Sequence, residues 1–375
     1  MRERIRFERE ISDLEFESSD SHSIPKTPGK KTPAAVKQKQ IILVAGFDYE
    51  DPNHLMNSYC HNRIERILRQ KRGNRTDPSL TFTLFDVGAG KVRTFNVSGN
   101  KRVWADTTTF TPVTAANYTG KTFDKSPSGV MSITDVYEFL RKQGKSNPGS
   151  VQELSFFAHG SHVGPILVNS YDTTPSHPFR DSNDKDGRAH KDFAPPNMDS
   201  AATKELEAAF APTGFIWLWG CVFAAAPFQV LHRLFKNRAY KSGKIKDTDI
   251  VKFEFERTHA DQFFAAVPTF FPAAIGGTFP LVFNRTFKQV KEFFQQLIFN
   301  GYCGQIALNA NRKCFGALPG TYSEYDPKKS FLPLMLVPRA KPPGSADFTR
   351  QVNFYRKHMG MKLDPEGRGY GMYVP

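Results

Sequence analysis

Residues 154–160 have the sequence LSFFAHG, and residues 215–221 have the sequence FIWLWGC. Each stretch is an apolar run that ends in a small residue and is followed by a chemically active side chain, His159 or Cys221. Such runs are typical of strands that are buried on both faces, as in the parallel sheet of an α/β protein. The run at residues 41–46, IILVAG, predicts a third strand of this kind.

Amphipathic segments alternate with these apolar runs. The spacing of apolar residues predicts helices at residues 133–144, 201–211 and 287–298. Residues 98–130 are predicted as surface loops, and residues 331–337 as a last strand. The alternation of strands and helices predicts an α/β fold with a mostly parallel central sheet and helices on both faces.

The carboxyl ends of the predicted strands carry a candidate catalytic pair. In open α/β sheets the site lies beyond these ends, which is where His159 and Cys221 are found. Thiol chemistry needs a nucleophile, a base and donors for an oxyanion. The N–H groups of Gly160 and Cys221 are the candidate donors, and Ser161 and Trp219 are candidate cleft residues.

This arrangement resembles the caspase and metacaspase superfamily of cysteine peptidases. That family carries its catalytic His in an HG pair after one core strand and its Cys after the next. Residues 158–161, AHGS, look like the family's HGS segment, and residues 184–187, DKDG, look like its acidic DxDG stretch. The likeness is architectural and spans roughly residues 40–240. It implies a caspase-like three-layer sandwich that hydrolyses peptide bonds, with His159 as the base and Cys221 as the nucleophile.

The chain departs from the family pattern beside the cysteine. The family often has an acidic residue two positions earlier, where it helps to bind a basic P1 side chain, but Trp219 occupies that position here. Val222 and Phe223 replace the small polar residues that usually follow. The P1 preference is therefore open. His162 is a competing candidate for the base, although it lacks the strand-end position.

Residues 181–192, DSNDKDGRAHKD, are rich in the oxygen donors that calcium prefers. Asp184 and Asp186 are the candidate ligands. Counted from Asp181, Gly187 is the seventh residue, whereas an EF-hand loop needs glycine at the sixth. A solvated acidic loop is thus the preferred interpretation, and calcium activation of the metacaspase kind is the alternative. No other cofactor is expected.

The cysteines and the amino terminus indicate the cellular context. The four cysteines form no CxxC pair and no cluster with histidine, which favours a reducing compartment. Cys60, Cys303 and Cys314 are interpreted as structural. The first twenty residues lack the apolar region of a signal peptide. We expect a cytoplasmic protein, or an effector or toxin delivered by a signal-peptide-independent route.

Composition divides the chain at about residue 40. Residues 1–40 are predicted as a tail whose part from residue 18, rich in Pro, Ser and Lys, is disordered and protease-sensitive. Export or packaging machinery is the partner that such a tail would suit. Residues 41–375 are predicted as one domain, with a C-terminal extension from about residue 241.

A second function class is also compatible with the sequence. The formal net charge of +14 favours phosphates, acidic proteins or anionic membrane faces, although no nucleic-acid motif is present. Residues 263–283 lack charge, but their prolines and glycine pair exclude a transmembrane helix, so buried core or a cleft wall is expected. The alternative is therefore a non-catalytic interaction or membrane-active protein. A solvent-open gap between His159 and Cys221 favours the peptidase, and a gap filled by Trp219 or Phe223 favours the alternative.

Overall fold

A nine-stranded sheet forms the centre of the computed structural model. The structure describes residues 38–51, 55–70, 80–98, 101–114, 129–221, 225–255, 267, 269–271, 280–325, 332–337 and 341–375. The strands within these ranges are β1 (Lys39–Ala45), β2 (Leu80–Asp86), β3 (Lys91–Ser98), β4 (Lys101–Thr109), β5 (Val151–Phe157), β6 (His159–Ser161), β7 (Gly164–Ile166), β8 (Phe210–Leu218), β9 (Ile250–Phe255), β10 (Leu281–Thr286), β11 (Lys313–Gly316), β12 (Tyr322–Tyr325), β13 (Pro333–Leu336), β14 (Lys362–Leu363) and β15 (Gly371–Tyr373). The helices are α1 (Asn57–Gln70), α2 (Ile133–Ser146), α3 (Ala189–Asp192), α4 (Ser200–Ala209), α5 (Ala225–Lys236), α6 (Arg238–Lys241), α7 (Phe287–Asn300), α8 (Tyr302–Ala310) and α9 (Ala346–Met359).

The sheet has the order β14-β15-β11-β8-β5-β1-β2-β3-β4. Its five middle strands, from β11 to β2, are parallel, and antiparallel strands extend both edges. The chain moves from β1 to β2 in one direction and from β2 through β5 and β8 to β11 in the other. Right-handed crossovers therefore place α1 on one face and α2, α4 and α8 on the opposite face. The predicted α/β fold with a mostly parallel central sheet is confirmed.

The three predicted helices begin at capping residues. Ser132 caps α2 and forms a capping box in which the Asp135 carboxylate accepts from the Ser132 N–H at 2.7 Å. The Asp199 side chain caps α4 by accepting from the N–H of Ala202 at 2.8 Å. A capping box at Thr286 begins α7. These caps satisfy backbone donors that the first helical turn leaves unpaired.

Two parts of the sheet differ from the prediction. Strand β4 lies in the segment predicted as loops and forms one edge of the sheet. Its main aromatic contact with the core is made by Trp104, whose ring centroid is 4.4 Å from that of Phe95. The predicted last strand, β13, pairs with β12 outside the central sheet. Segment 241–375, expected as a C-terminal extension of the domain, adds β11, β14 and β15 to that sheet. These three strands have two to four residues each, too few to show a periodic pattern.

The described part of the structure begins close to the predicted start of the domain. Strand β1 starts two residues before the predicted domain start, and the predicted tail up to Lys37 lies outside the described residues. Residues 38–375 form one compact unit.

In the charge-free segment 263–283, Phe270, Phe271 and Phe283 are buried and pack against one another; most of the rest of this segment lies outside the described residues. No helix in the described ranges is long and apolar enough to cross a membrane.

Candidate active site

Two neighbouring parallel strands bring His159 and Cys221 to one edge of the sheet. Phe156 of β5 is in register with Leu218 of β8, and the N–H of Trp219 continues the ladder to the Phe156 carbonyl at 3.0 Å. His159 and Cys221 each lie three residues beyond this pair. Both line the same small cleft.

The glycine beside each of these residues allows the two chain segments to approach closely. A Cβ on Gly160 would lie 2.8 Å from the Cys221 carbonyl oxygen. A Cβ on Gly220 would lie 2.6 Å from the Ala158 carbonyl oxygen. Contacts this short force the backbone to move, so a side chain at either position would separate His159 from Cys221.

The His159 ring is held by the loop that follows β1. Its Nε2 atom is 2.7 Å from Oδ1 of Asp48, a side chain that is only 8% exposed. The same oxygen accepts the N–H groups of Glu50 and Asp51, each at 3.1 Å. The Tyr49 ring packs on the imidazole with 4.5 Å between ring centroids. The orientation of the imidazole is therefore fixed by a hydrogen bond and a ring contact.

Asp48 is absent from the residues predicted from the sequence, although a signal for it exists. It lies three residues beyond β1, which pairs in parallel with β5 on the side opposite to β8. Backbone bonds from Gly46 N–H to the Phe157 carbonyl (2.8 Å) and from Phe47 N–H to the Leu167 carbonyl (2.7 Å) fix the chain in between. The rule that located His159 and Cys221, that parallel strands end at one edge, also locates Asp48.

The bond to Asp48 determines which nitrogen of His159 is basic. An ionised carboxylate can only accept hydrogen bonds, so Nε2 carries the proton that it receives. In the neutral ring the lone pair is then on Nδ1. Nδ1 is the atom that can accept a proton from a thiol.

Cys221 differs from the other three cysteines in exposure. It is partly exposed, whereas Cys60, Cys303 and Cys314 are buried. Burial raises the pKa of the Cys60 and Cys314 thiols, which keeps them protonated. The Cys221 thiol donates a hydrogen bond to the Gly160 carbonyl oxygen at 3.5 Å. Among the four thiols, Cys221 is the most accessible to a substrate.

Trp219 lies in the core rather than in the cleft, contrary to the expectation from the sequence. It is 1% exposed, and its ring stacks between Phe157 at 5.1 Å and Trp217 at 4.1 Å. Its indole N–H donates to Ser155 Oγ at 3.2 Å. The cause is strand alternation: Leu218 points into the cleft, so the next residue points to the opposite face.

Ser161 is the other expected cleft residue, and His162 is the competing candidate for the base. Ser161 lines the cleft together with His159. Val222 and Phe223 lie outside the described residues. His162 is not among the described residues that line the cleft. Burial and the neighbouring His190 lower the pKa of His162 to about 4, which makes it a poor base at neutral pH.

The lowered pKa of His162 predicts a pH-dependent stability. Below about pH 6.5 the unfolded chain binds a proton at this histidine, whereas the folded protein binds it only near pH 4. The contribution of His162 to the free energy of unfolding is thus complete above pH 6.5 and is lost as the pH falls through 4. After allowance for partial exposure of the ring, we expect His162→Gln to reduce the loss of unfolding free energy between pH 7 and pH 4 by about 2 kcal/mol. Urea unfolding at both pH values measures this, with exposed His177→Gln as the control. Equal pH dependence in all three proteins would contradict the prediction.

The acidic segment near residue 184 is not a solvated loop, which corrects the preferred interpretation of the sequence. Asp184 is 3% exposed and pairs with the Arg188 Nε atom at 2.7 Å. Asp186 is 2% exposed, and its Oδ1 accepts the N–H groups of Leu167 at 2.7 Å and Val168 at 2.9 Å. The partner of Asp184 is a nearby arginine, and the partners of Asp186 are backbone N–H groups of a separate loop. The acidic pattern of the sequence alone does not reveal these partners. Within the described residues, no group of three or more His, Cys, Asp or Glu side chains is arranged to hold a metal ion.

Loss of the Asp184 carboxylate should destabilise the protein. Asp184→Ala leaves Arg188 without its acidic partner in a site with little solvent, and removal of one partner of such a pair costs about 3 kcal/mol. Urea unfolding measures the effect, with Asn183→Ala at an exposed neighbouring position, expected to lose less than about 1 kcal/mol, as the control. We expect calcium and EDTA to leave the melting temperature of the wild-type protein unchanged. A calcium-dependent rise that Asp184→Ala removes would instead assign this segment to calcium.

Comparisons with known proteins give little further information. A scan against protein-family models finds no match, and a search among curated proteins finds none. Among solved structures, the chain is similar to a secreted C11 cysteine protease from Bacteroides thetaiotaomicron in complex with an irreversible peptide inhibitor. The similarity covers 86% of this chain and 96% of that chain, at 10% sequence identity and a TM-score of 0.27. A superposition this loose carries no argument about residue roles, so the chemistry of the site rests on its own geometry.

Proposed function

We propose that the protein is a caspase-like, cysteine-dependent endopeptidase in which Cys221 is the nucleophile and His159 is the base. One observation carries the proposal. A partly exposed thiol and a histidine that the Asp48 carboxylate orients line the same cleft at the carboxyl edge of a parallel sheet. A nucleophile, a base and a group that orients the base are the parts that covalent acyl transfer requires.

The proposed reaction begins with transfer of the Cys221 thiol proton to Nδ1 of His159. This step requires the S–H bond to turn away from the Gly160 carbonyl oxygen. The thiolate then attacks the carbonyl carbon of the scissile peptide bond. The oxyanion that forms accepts hydrogen bonds from the N–H groups of Gly160 and Cys221. These donors belong to the two segments that the glycines bring together.

Breakdown of the tetrahedral intermediate uses the same proton. The His159 imidazolium, stabilised by the Asp48 carboxylate, donates its Nδ1 proton to the leaving amine as the C–N bond breaks. A water molecule then enters, His159 removes its proton, and the thioester to Cys221 is hydrolysed. The carboxylic acid product leaves, and the thiol and the neutral imidazole are restored.

The direction of Trp219 argues against the non-catalytic alternative. In that alternative, the side chain of Trp219 or Phe223 fills the space between His159 and Cys221. Trp219 is directed to the opposite face of the sheet, so Trp219 does not fill this space. We further propose that the protein acts in the cytoplasm, or as an effector or toxin after signal-peptide-independent delivery, with the tail as the segment that export or packaging machinery binds.

Incubation with a peptide mixture derived from a whole proteome tests the proposal. The wild-type protein should generate new amino termini at a defined set of sequences, and Cys221→Ala should generate none of them. Mass spectrometry of the labelled amino termini identifies the cleaved bonds. Identical sets of termini from the two proteins would show that the cleavage has another source.

A further inference from the structure

A dense group of cations lies outside the candidate active site, on the segment that leads from the end of α5 to β9. Residues 236–246 have the sequence KNRAYKSGKIK, which contains five cations and no acidic residue. All five cations are exposed, and none has an ion-pair partner among the described residues; they are Lys236, Arg238, Lys241, Lys244 and Lys246. We name these five residues, together with Ile250, the basic patch.

Hydrogen bonds fix the backbone of the basic patch, so its cations are held on one part of the surface. The side chain of Asn237 caps α6 and also donates to the Ile250 carbonyl at 3.5 Å, which joins α6 to the start of β9. The Lys246 N–H donates to Oδ2 of Asp249 at 2.9 Å. The mutual repulsion of the cations is therefore built into the folded protein rather than avoided by motion of the chain.

The neighbouring elements add positive charge rather than a counter-charge. The carboxylate of Asp247, which follows the patch in the sequence, already pairs with Nζ of Lys291 at 2.7 Å. The end of α9 lies beside α6, because the ring centroids of His358 and Tyr240 are 6.0 Å apart. This last turn of α9 carries two further exposed cations, Arg356 and Lys357.

The stability of the fold accounts for some of these cations but not for the patch. Cations at the carboxyl end of a helix are stabilised by its dipole, which explains those of α9. Lys244 and Lys246 lie in a loop, where this effect is absent. Their charges are thus available to an external anion.

The composition of the basic patch favours a membrane over a nucleic acid. Four of its five cations are lysines, whose compact charges attract anionic headgroups without a planar acceptor. Ile250 lies beside them and is 55% exposed, so it can enter the boundary between headgroups and acyl chains. Tyr240 is the one aromatic residue of segment 236–246, and its ring packs against Phe235 and Phe287. It is therefore not free to stack on a base.

We propose that the basic patch docks the protein on a membrane leaflet that contains anionic phospholipid. The cations attract the headgroups, and Ile250 enters the boundary beneath them. The described residues that line the candidate cleft include none of the patch. Docking is therefore a property additional to the proposed peptidase activity, and it does not depend on that activity.

Sedimentation with lipid vesicles tests the proposal. The full chain is mixed with vesicles of phosphatidylcholine, either alone or with phosphatidylserine added, and the bound fraction gives a partition coefficient. We expect binding to the mixed vesicles, its loss at high salt, and little binding to phosphatidylcholine alone. The triple variant Lys241→Gln/Lys244→Gln/Lys246→Gln should lower the partition coefficient by about 100-fold, because each cation near an anionic surface contributes about fivefold.

A matched triple variant tests whether position or net charge matters. Lys142→Gln/Lys204→Gln/Lys313→Gln removes the same charge from exposed positions on α2, α4 and β11. It should keep the partition coefficient within about threefold of wild type, because salt screens charges that are not at the contact. Thermal melting confirms that both triple variants are folded.

A substitution at Ile250 distinguishes a membrane from another polyanion. Ile250→Thr keeps a β-branched side chain at the start of β9 and removes part of the exposed apolar surface. It should lower the partition coefficient on mixed vesicles by about fivefold and leave the affinity for double-stranded DNA unchanged.

The outcomes separate docking from other roles of the patch. Equal partition coefficients for the two triple variants, or equal binding to vesicles with and without phosphatidylserine, would overturn the proposal. Tighter binding to double-stranded DNA than to mixed vesicles, with no effect of Ile250→Thr on either, would assign the patch to a nucleic acid instead. Cys221→Ala should bind vesicles as the wild-type protein does, so this result stands or fails independently of the peptidase proposal.

Discussion

Cys221→Ala and His159→Gln are each expected to lower kcat/KM for peptide hydrolysis by at least about 10⁴-fold. The first substitution removes the sulfur that attacks the carbonyl carbon. The second removes the Nδ1 lone pair that accepts the thiol proton, and glutamine replaces it with a group that is not basic. Because the two side chains act in one proton transfer, the double variant should be little slower than either single variant. Hydrolysis of a fluorogenic peptide identified from the proteome-derived mixture measures all three.

Matched substitutions separate loss of chemistry from loss of folding. His162→Gln makes the same change three residues away, and Cys60→Ala and Cys314→Ala remove thiols outside the cleft. These three variants should keep activity within about threefold of wild type when compared at equal folded fraction. A limiting amount of an electrophilic thiol reagent should label Cys221 before the three buried cysteines. Full activity in a folded Cys221→Ala protein would disprove the peptidase, and the interaction role would take its place.

The fully buried strands are the part of this fold that the sequence predicts best. In β1 every residue after Lys39 is buried, and in β5 residues 153–157 are all buried, so the largely apolar runs IILVA and LSFF mark these two strands in the sequence. The parallel pairing of β5 with β8 then follows from their order, and with it the shared position of His159 and Cys221. These predictions need only the apolar pattern within each strand and the rule that parallel strands end at one edge of a sheet.

Properties that depend on the facing partner are not predictable in this way. Trp219 looks like a cleft residue in the sequence because it is close to Cys221, but the two-residue period of the strand directs it to the other face. The sequence suggests that Asp184 and Asp186 are solvated because acidic residues usually are. In the structure both are buried, and Asp184 pairs with Arg188 while Asp186 accepts backbone N–H groups that are distant in the sequence.

Asp48 is the residue whose contribution the structure adds to the sequence-based site, and Asp48→Asn should lower kcat by about 100-fold. The asparagine oxygen can still accept the N–H groups of Glu50 and Asp51, so the loop should remain folded. The substitution removes the negative charge that stabilises the imidazolium. If the amide NH₂ turns toward the ring, it also favours the tautomer in which Nδ1 is protonated and cannot act as the base.

The split between kcat and KM distinguishes this positioning role from a purely structural one. KM should change less than kcat in Asp48→Asn, because Asp48 contacts the imidazole rather than the substrate. Glu50→Gln is the control because it removes one negative charge from the same loop at an exposed position that lies outside the cleft, and it should leave kcat and KM within error. If a folded Asp48→Asn protein keeps more than half of the wild-type kcat, then the Tyr49 ring contact, and not the carboxylate, is what orients His159.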